Sequence, residues 1–575
     1  MNQITIEVNG KEVSAREGET ILAACSRHGV KIPTLCYIEG LKPSGACRLC
    51  VVEVEGARGL VPSCSQPVTP NMKIRTHSER AVRARRAVVE LLLADHPDDC
   101  LYCVRNGRCD LQKLADELGV RQRRFDVARA RADLDVSSPA IVRDPAKCIL
   151  CGKCVRVCEE VQGVAAIDFI GRGSRTRVGT AFDRGLNISS CINCGQCIMV
   201  CPTGALAENS HLKLVREALA DPERTVVVQH APAISVSIAA ELGLKRSGDV
   251  HGAMTAALRR LGFDQVFETS FAADLTIMEE ASELVHRIKT GGALPMMTSC
   301  SPGWIKYVEQ FHPDLIPNLS TCKSPQQMLG AVIKSWWAPR QNLDPEKVYS
   351  VAVMPCTAKK FEAARPEMAR GGVSDIDAVL TTREMIQMMR EHGLDLGEIA
   401  PEGADSPFGE RSSAGKLFGA SGGVMEAAVR TAHWLVTGRE LETLRLTELR
   451  GMKGVKEARL EIDGIAVSVA VANGLGNAAR VLEAVKSGEK EYHFIEVMTC
   501  PGGCVGGGGQ PYTADSKEIQ KRMKELYRID RESRLRTSHG NREVARLYEE
   551  FLGAPLSEKS HHLLHTRYAG REVIK

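Results

Sequence analysis

The sequence lacks an excess of either charge. Lys and Arg together number 75 against 71 Asp and Glu, a net charge of +4, so the balance gives no case for nucleic acid or an anionic membrane as partner. No uninterrupted apolar run approaches the roughly 20 residues of a membrane span. The opening stretch "MNQITIEVNG" has no basic segment followed by an apolar one, which predicts no signal peptide and a cytoplasmic protein. Low-complexity linkers are missing, and so are tandem repeats apart from two cysteine modules. No strand–GxGxxG–helix fingerprint marks a dinucleotide site, so any flavin or NAD(P) belongs to a partner. The most basic run, Arg80 to Val88, reads as the solvated face of a helix.

What the chain has is cysteine. Twenty-one cysteines in 575 residues are far more than a cytosolic protein uses for packing, and disulfides are disfavoured in that compartment. Regular spacing points to metal. Cys148, Cys151, Cys154 and Cys158 form a C-x2-C-x2-C-x3-C run, repeated by Cys191, Cys194, Cys197 and Cys201 with Pro202 after it. In this two-cluster spacing the fourth cysteine crosses over. One [4Fe–4S] cube therefore takes Cys148, Cys151, Cys154 and Cys201, and the other takes Cys191, Cys194, Cys197 and Cys158. Upstream, Cys36, Cys47, Cys50 and Cys64 sit on a β-rich domain opened by "QITIEV" and an Asn9-Gly10 hairpin turn, and suit a [2Fe–2S] cluster. "HPDDCLYCVRNGRC" offers three thiols, Cys100, Cys103 and Cys109, with His96 one turn before them. An imidazole can complete a cube there, with a zinc site of three cysteines and one histidine as the alternative. Zinc is the alternative at the other sites too, but it carries no electrons and would interrupt a row of redox centres.

After about Thr225 cysteines become sparse and the pattern turns α/β. Four apolar runs, 225–232, 293–300, 348–356 and 492–500, read as parallel strands separated by helices, and three of them deliver a thiol at the carboxyl end. Those ends are "TSCSPGW", "MPCTAKKFE" and "EVMTCPGGCVGGGGQP". The last lets backbone approach a bulky group closely, and it is not a phosphate loop because no GK[ST] follows. Cys25 and Cys322 have no such setting and read as structural. The acidic stretch "IMEEASELVHR", taken by itself, reads as a solvated helix face. The tail from about residue 512 is helical and charged, with "HHLLHTRY" near its end.

The three thiol-bearing stretches resemble the signature motifs of the [FeFe]-hydrogenases. The likeness extends over essentially the whole chain and is closest to the catalytic subunit of multimeric NAD(P)-linked, often electron-bifurcating, cytosolic enzymes. It implies an α/β multidomain chain: a β-grasp [2Fe–2S] ferredoxin-like domain (1–78), a helical [4Fe–4S] domain with one histidine and three cysteines as ligands (79–140), a two-[4Fe–4S] ferredoxin domain (141–210), an α/β H-cluster domain (211–511) and a helical small-subunit-like tail (512–575). It implies the H-cluster, a cube joined through a cysteine sulfur to a diiron unit with CO, cyanide and a bridging dithiolate amine. By the resemblance Cys356, Cys500 and Cys504 bind the cube, and Cys504 bridges to the diiron unit. Lys359 meets a cyanide, and the backbone at Ala231 and Pro232 the other. Met354, Met498, Gln326 and Phe418 pack around the unit. Glu280, Glu283, Ser320 and Arg287 match a proton relay. Family members mostly carry two adjacent cysteines where this chain has Cys300 and Ser301. Position favours Cys300 as the relay thiol and Ser301 at the cube's fourth site; the alternative makes Cys300 the cube ligand.

The implied reaction is 2H⁺ + 2e⁻ ⇌ H2, with electrons carried by four accessory clusters. The expected partners are a flavin- and NAD(P)-binding subunit and a small Fe–S subunit, or ferredoxin. Two rivals share parts of the pattern. A sensory hydrogenase-like protein would carry an appended regulatory domain, and a non-catalytic electron-transfer subunit of the complex I type would share residues 1–205 but lack the three terminal motifs.

Overall fold

The computed structural model describes residues 2–125, 127, 133–244, 250–442, 444, 446–513 and 515–573; the ends of the 79–140 and 512–575 assignments thus run partly outside the described residues. At the N-terminus five strands form one sheet in the order Lys11–Arg16, Gln3–Val8, Lys73–Arg75, Val51–Val54, Val61–Pro62. Asn9 and Gly10 both take positive φ, 52° and 81°, the backbone that a two-residue hairpin with native twist demands. The helix Ile21–Arg27 starts where the Thr20 hydroxyl accepts the Ala23 amide, and it packs Ile21 and Leu22 onto Ile6, Val8, Val52 and Ile74.

The helix Glu79–Asp95 corrects one expectation. Its basic run is not solvated throughout: Arg85 is 1% exposed and donates to the carbonyls of Val51 and Thr76, both at 2.7 Å. The guanidinium satisfies backbone groups where the helix crosses the sheet. Beyond it the two cysteine modules are structural duplicates. Each short helix, Lys153–Arg156 and Gln196–Val200, begins after a left-handed glycine, Gly152 or Gly195, that wraps the preceding thiol loop.

From residue 225 onward the chain builds two four-stranded sheets, not one. The first is wholly parallel, in the order Gln265–Glu268, Thr225–His230, Val348–Met354, Ala378–Thr381. The second runs Met296–Met297, Phe494–Met498, Ile465–Asn473, Val455–Ile462, with only the last strand antiparallel. Half of these strands fall outside the four apolar runs, and none of that half ends in a thiol loop. Run 293–300 contributes only two residues of strand, because Ser299 and Cys300 turn away toward the loop.

The long helix Thr269–Thr290 lies between the sheets and corrects a second expectation. Its acidic stretch is interior: Glu279, Glu280 and Glu283 are 0%, 1% and 6% exposed. No helix among the described residues is long and apolar enough to cross a membrane. The tail wraps back as helices Ser516–Glu532, Arg542–Leu547 and Glu558–Leu564. Asp530 anchors it, buried between Arg430 and Arg450. Burial pushes this carboxyl up, but the two guanidiniums and the Ser413 hydroxyl outweigh that and hold it well below the usual range.

Candidate active site

The strand ends of both sheets open onto one cavity. Its wall is mostly apolar and carries the thiols of Cys300, Cys356, Cys500 and Cys504. Ala231, Pro232, Ser301, Gln326, Met354, Lys359, Phe418 and Met498 also line it, so the structure brings together every residue assigned above to the diiron surroundings. All four thiols are pushed up by burial; mutual repulsion with Cys356 adds to this at Cys504, which reaches about 12. Cavity walls of this kind favour metal over free thiolate, because a cation removes the cost of burying the charge.

The glycine run closes the floor. Gly503 has φ of 89°, and a Cβ there would stand 2.7 Å from the Ser421 amide nitrogen. At Gly508 a Cβ would fall 2.2 Å from the Cys194 carbonyl oxygen. Only glycine lets this loop press against the second cysteine module.

Among the described residues Lys359 is the one cation on the cavity lining. Its ammonium donates to the Cys300 carbonyl at 3.2 Å and to Glu362 at 2.8 Å. Glu362 also accepts from Ser324 and from the Gln326 amide, so a single buried carboxylate orients both Lys359 and Gln326 of the wall. Sequence reasoning gave Glu362 no role, although it stands one helical turn after Lys359 within "MPCTAKKFE". Thr499 was missed as well; its hydroxyl pairs with that of Ser301 at 2.8 Å and no spacing rule marks it.

Behind Cys300 the buried carboxylates line up. Burial, then Glu283 and Glu496, raise Glu280 to about 8, so at neutral pH it is mostly protonated. After burial, the field of Glu280 is the largest influence raising the Cys300 thiol. Ser320 donates to Glu283 at 2.7 Å, and Glu283 is ion-paired with Arg287 at 2.7 Å near the surface. Cys322, read as structural, is buried with its sulfur 3.8 Å from the same carboxylate.

The accessory thiols fall into groups. Cys148, Cys151, Cys154 and Cys201 surround one cavity, and Cys158, Cys191, Cys194 and Cys197 another. Cys194 lines both the latter and the large cavity, so the two spaces share a wall. In the N-terminal domain Cys36 lies against Cys47 and Cys50 against Cys64; hydrogen bonding within each pair pulls Cys36 down to about 5 and Cys50 to about 6. Cys103 sits beside Gly204, a few residues past Cys201, while Cys109 feels the charge of Cys103 and His96 is 9% exposed.

Comparison with known proteins agrees with this layout. Residues 224–508 match the iron only hydrogenase large subunit, C-terminal domain, and 516–571 the iron hydrogenase small subunit. Residues 1–79 match a 2Fe-2S iron-sulfur cluster binding domain, 85–124 the NADH-ubiquinone oxidoreductase-G iron-sulfur binding region, and 147–205 a 4Fe-4S dicluster domain. The NADP-reducing hydrogenase subunit HndD of Solidesulfovibrio fructosivorans is 47% identical over the full length of both chains. Iron hydrogenase 1 of Clostridium pasteurianum is 40% identical, covering 98% of this chain and 99% of that one. An apo [FeFe]-hydrogenase of Chlamydomonas reinhardtii superposes with a TM-score of 0.57 at 43% identity, covering 64% of this chain and all of that one. Thiols, glycine floor, lysine and full-length likeness together place the chain in the [FeFe]-hydrogenase family, as a catalytic subunit with accessory iron–sulfur domains.

Proposed function

We propose that this hydrogenase exchanges electrons with an NAD(P)- and flavin-binding partner subunit, or with ferredoxin, in the cytoplasm, as part of a multimeric and electron-bifurcating enzyme. The likeness to a subunit named as NADP-reducing supports the first part. In this reading Cys36, Cys47, Cys50 and Cys64 hold one [2Fe–2S] cluster. His96 with Cys100, Cys103 and Cys109 holds a [4Fe–4S] cube, and the two cysteine modules hold two more. Electrons then pass through the Cys194 wall to the large cavity.

There Cys356, Cys500 and Cys504 would hold the H-cluster, with Ser301 at the cube's fourth position. When bound, the H-cluster supplies the metals that combine protons with electrons into H2 or split it. The chain's own residues exclude water with Met354, Met498 and Phe418. Lys359, fixed by Glu362, presents a cation to an anionic ligand. Cys300 and Glu280, both protonated at neutral pH, hold protons next to the site, and Ser320, Glu283 and Arg287 continue toward solvent.

The observation that carries the reading is the single cavity joining three distant thiols, Lys359 and Cys194. The test is dye-driven H2 evolution by the full chain after installation of the diiron group, with infrared bands of bound CO and cyanide as the readout of assembly. Assembly bands without H2 evolution would sink it.

A further inference from the structure

The histidines of "HHLLHTRY" have no part in the function so far. In the fold this stretch runs antiparallel beside residues 321–323. Lys323 donates its amide to Leu564 at 2.7 Å, Thr566 to Thr321 at 2.8 Å, and Cys322 pairs with His565. The pairing sets the His565 imidazole, 8% exposed, between two carboxylates one turn apart on the helix Thr269–Thr290. Its Nε2 lies 3.1 Å from Glu279 Oε2. Its Nδ1 lies 2.8 Å from Thr321 Oγ1, which in turn is 3.3 Å from Glu283 Oε1.

Glu279 is fully buried and also accepts from Tyr548 at 2.5 Å, from the Leu556 amide at 2.9 Å and from Ser560. Burial pushes its carboxyl up, but the hydrogen bonds from His565, Ser560 and Tyr548 more than offset this, and the net direction is downward. An ionised Glu279 fixes the tautomer: Nε2 carries the hydrogen and Nδ1 is left facing the Thr321 hydroxyl. The result is a carboxylate–imidazole–hydroxyl line of the kind that stabilises an imidazolium, with Glu283 as the next acceptor. Outward, the exposed His561 ring lies 4.2 Å from His565, centroid to centroid, and His286 adds a second exposed imidazole nearby. The titratable groups around His565 are therefore Glu279, Glu283, His286 and Arg287 on the long helix, Cys322 and Lys323 on the paired segment, and Tyr548 and His561 in the tail.

We propose that His565 is a proton-loading station at the outer end of the relay, contributed by the tail, held ready by Glu279 and exchanging protons with Glu283 through Thr321. It rests on the reading of Glu283 as a relay member. In the inward direction Nδ1–H of the imidazolium passes to Thr321 Oγ1 as the Thr321 hydroxyl proton passes to Glu283. The Nε2–H bond to Glu279 is kept, one positive charge is lost from the ring and one negative charge from Glu283. A proton from water beside His561 restores the cation. His565 is thus a positioning residue, acting on the reaction only through Glu283.

The test is made on the full chain, with clusters and diiron group in place, by dye-driven H2 evolution across the neutral pH range. H565Q keeps hydrogen bonding but cannot take up a proton; it is expected to slow turnover about tenfold and to change the pH profile of the rate. T321V is expected to give the same loss with unchanged cluster signals in electron paramagnetic resonance, and free imidazole should restore part of the rate to H565G. A merely structural role would give neither the altered pH profile nor the rescue. Wild-type rates and profile in both H565Q and T321V, with E283Q inactive, overturn the station and leave the inner relay standing. If E283Q itself keeps the wild-type rate, the relay reading fails and the station with it.

Discussion

The accessory half and the catalytic half of this chain solve the same problem, holding iron, by opposite means. In residues 141–210 each cavity takes three thiols from one short loop and a fourth from its duplicate, so the ligand set is nearly complete before any long-range packing. The catalytic cavity draws its thiols from strand ends in two sheets, and Cys300 and Cys504 meet only because the sheets, the long helix and the glycine floor are all in place. Exposure differs in the same sense. Leu101 and Tyr102, beside Cys100 and Cys103, are 84% and 89% exposed, whereas Met354, Met498 and Phe418, beside the thiols of the large cavity, are buried. Electrons can cross protein between neighbouring centres, but protons need a chain of titratable groups. In the proposed reading, that is why the buried Glu280 and Glu283 stand behind the catalytic cavity.

The sharpest break in this comparison comes from removing one thiol on each side. C504A is expected to reduce dye-driven H2 evolution to background, since it removes the thiol common to the cube and the diiron unit in the proposed site. C36A should leave the dye-driven rate in place while abolishing NAD(P)-linked turnover with the partner subunit. Parallel assays with dye and with nicotinamide check both outcomes. Next in size is E280Q, with an expected loss of about 100-fold from an interrupted relay. Glu280 is raised to about 8, so it holds its proton below that value and loses it above. H2 evolution by the native chain should therefore fall as pH rises through about 8, and the residual activity of E280Q should lack that limb. The same shift makes the native fold bind the proton more tightly than the unfolded chain, so this residue's contribution to stability declines as pH rises from the ordinary carboxylate range toward 8. E362Q follows, with about 10-fold to 100-fold lower activity, because Lys359 and Gln326 lose their shared anchor. A double variant with K359M should add little to the K359M loss if the two act as one unit.

The contrast between the regions also explains how much could be read before the fold was known. Local ligand sets declare themselves by spacing, as the two cysteine modules do. The strands Gln265–Glu268 and Ala378–Thr381 carry no thiol, and their place at the two edges of the first sheet, flanking the better-marked strands, depends on packing that no short window records. Glu279, Glu280 and Glu283 had the composition of a solvated face, and segments distant in sequence make that face interior, among them the tail over Glu279 and residues 320–321 over Glu283. The motif "MPCTAKKFE" pointed at Cys356 and Lys359 but not at Glu362, whose role lies in what it accepts from Ser324 and Gln326, far away in sequence. Arg85 shows the same limit on a surface helix.

Two smaller effects probe each region without dismantling it. S301C offers a fourth thiolate at the mouth of the catalytic cavity and gives up the hydroxyl pair with Thr499. A softer ligand should shift the midpoint potential and the electron paramagnetic resonance signal of the cube, with only a several-fold change in rate. An unchanged potential would argue that residue 301 does not face the cube at all.

R85M acts on the accessory side. The methionine keeps much of the apolar stem but leaves the Val51 and Thr76 carbonyls without their charged donor, a loss of about 2 kcal/mol in the stability of the N-terminal domain. The visible absorption of its cluster during thermal unfolding reads that directly. Dye-driven H2 evolution should stay at the wild-type level, because the catalytic cavity draws no ligand and no relay group from residues 1–78. If the rate fell in step with the lost stability, the two halves would be folding as one cooperative unit, and the local character assigned to the accessory region would be wrong.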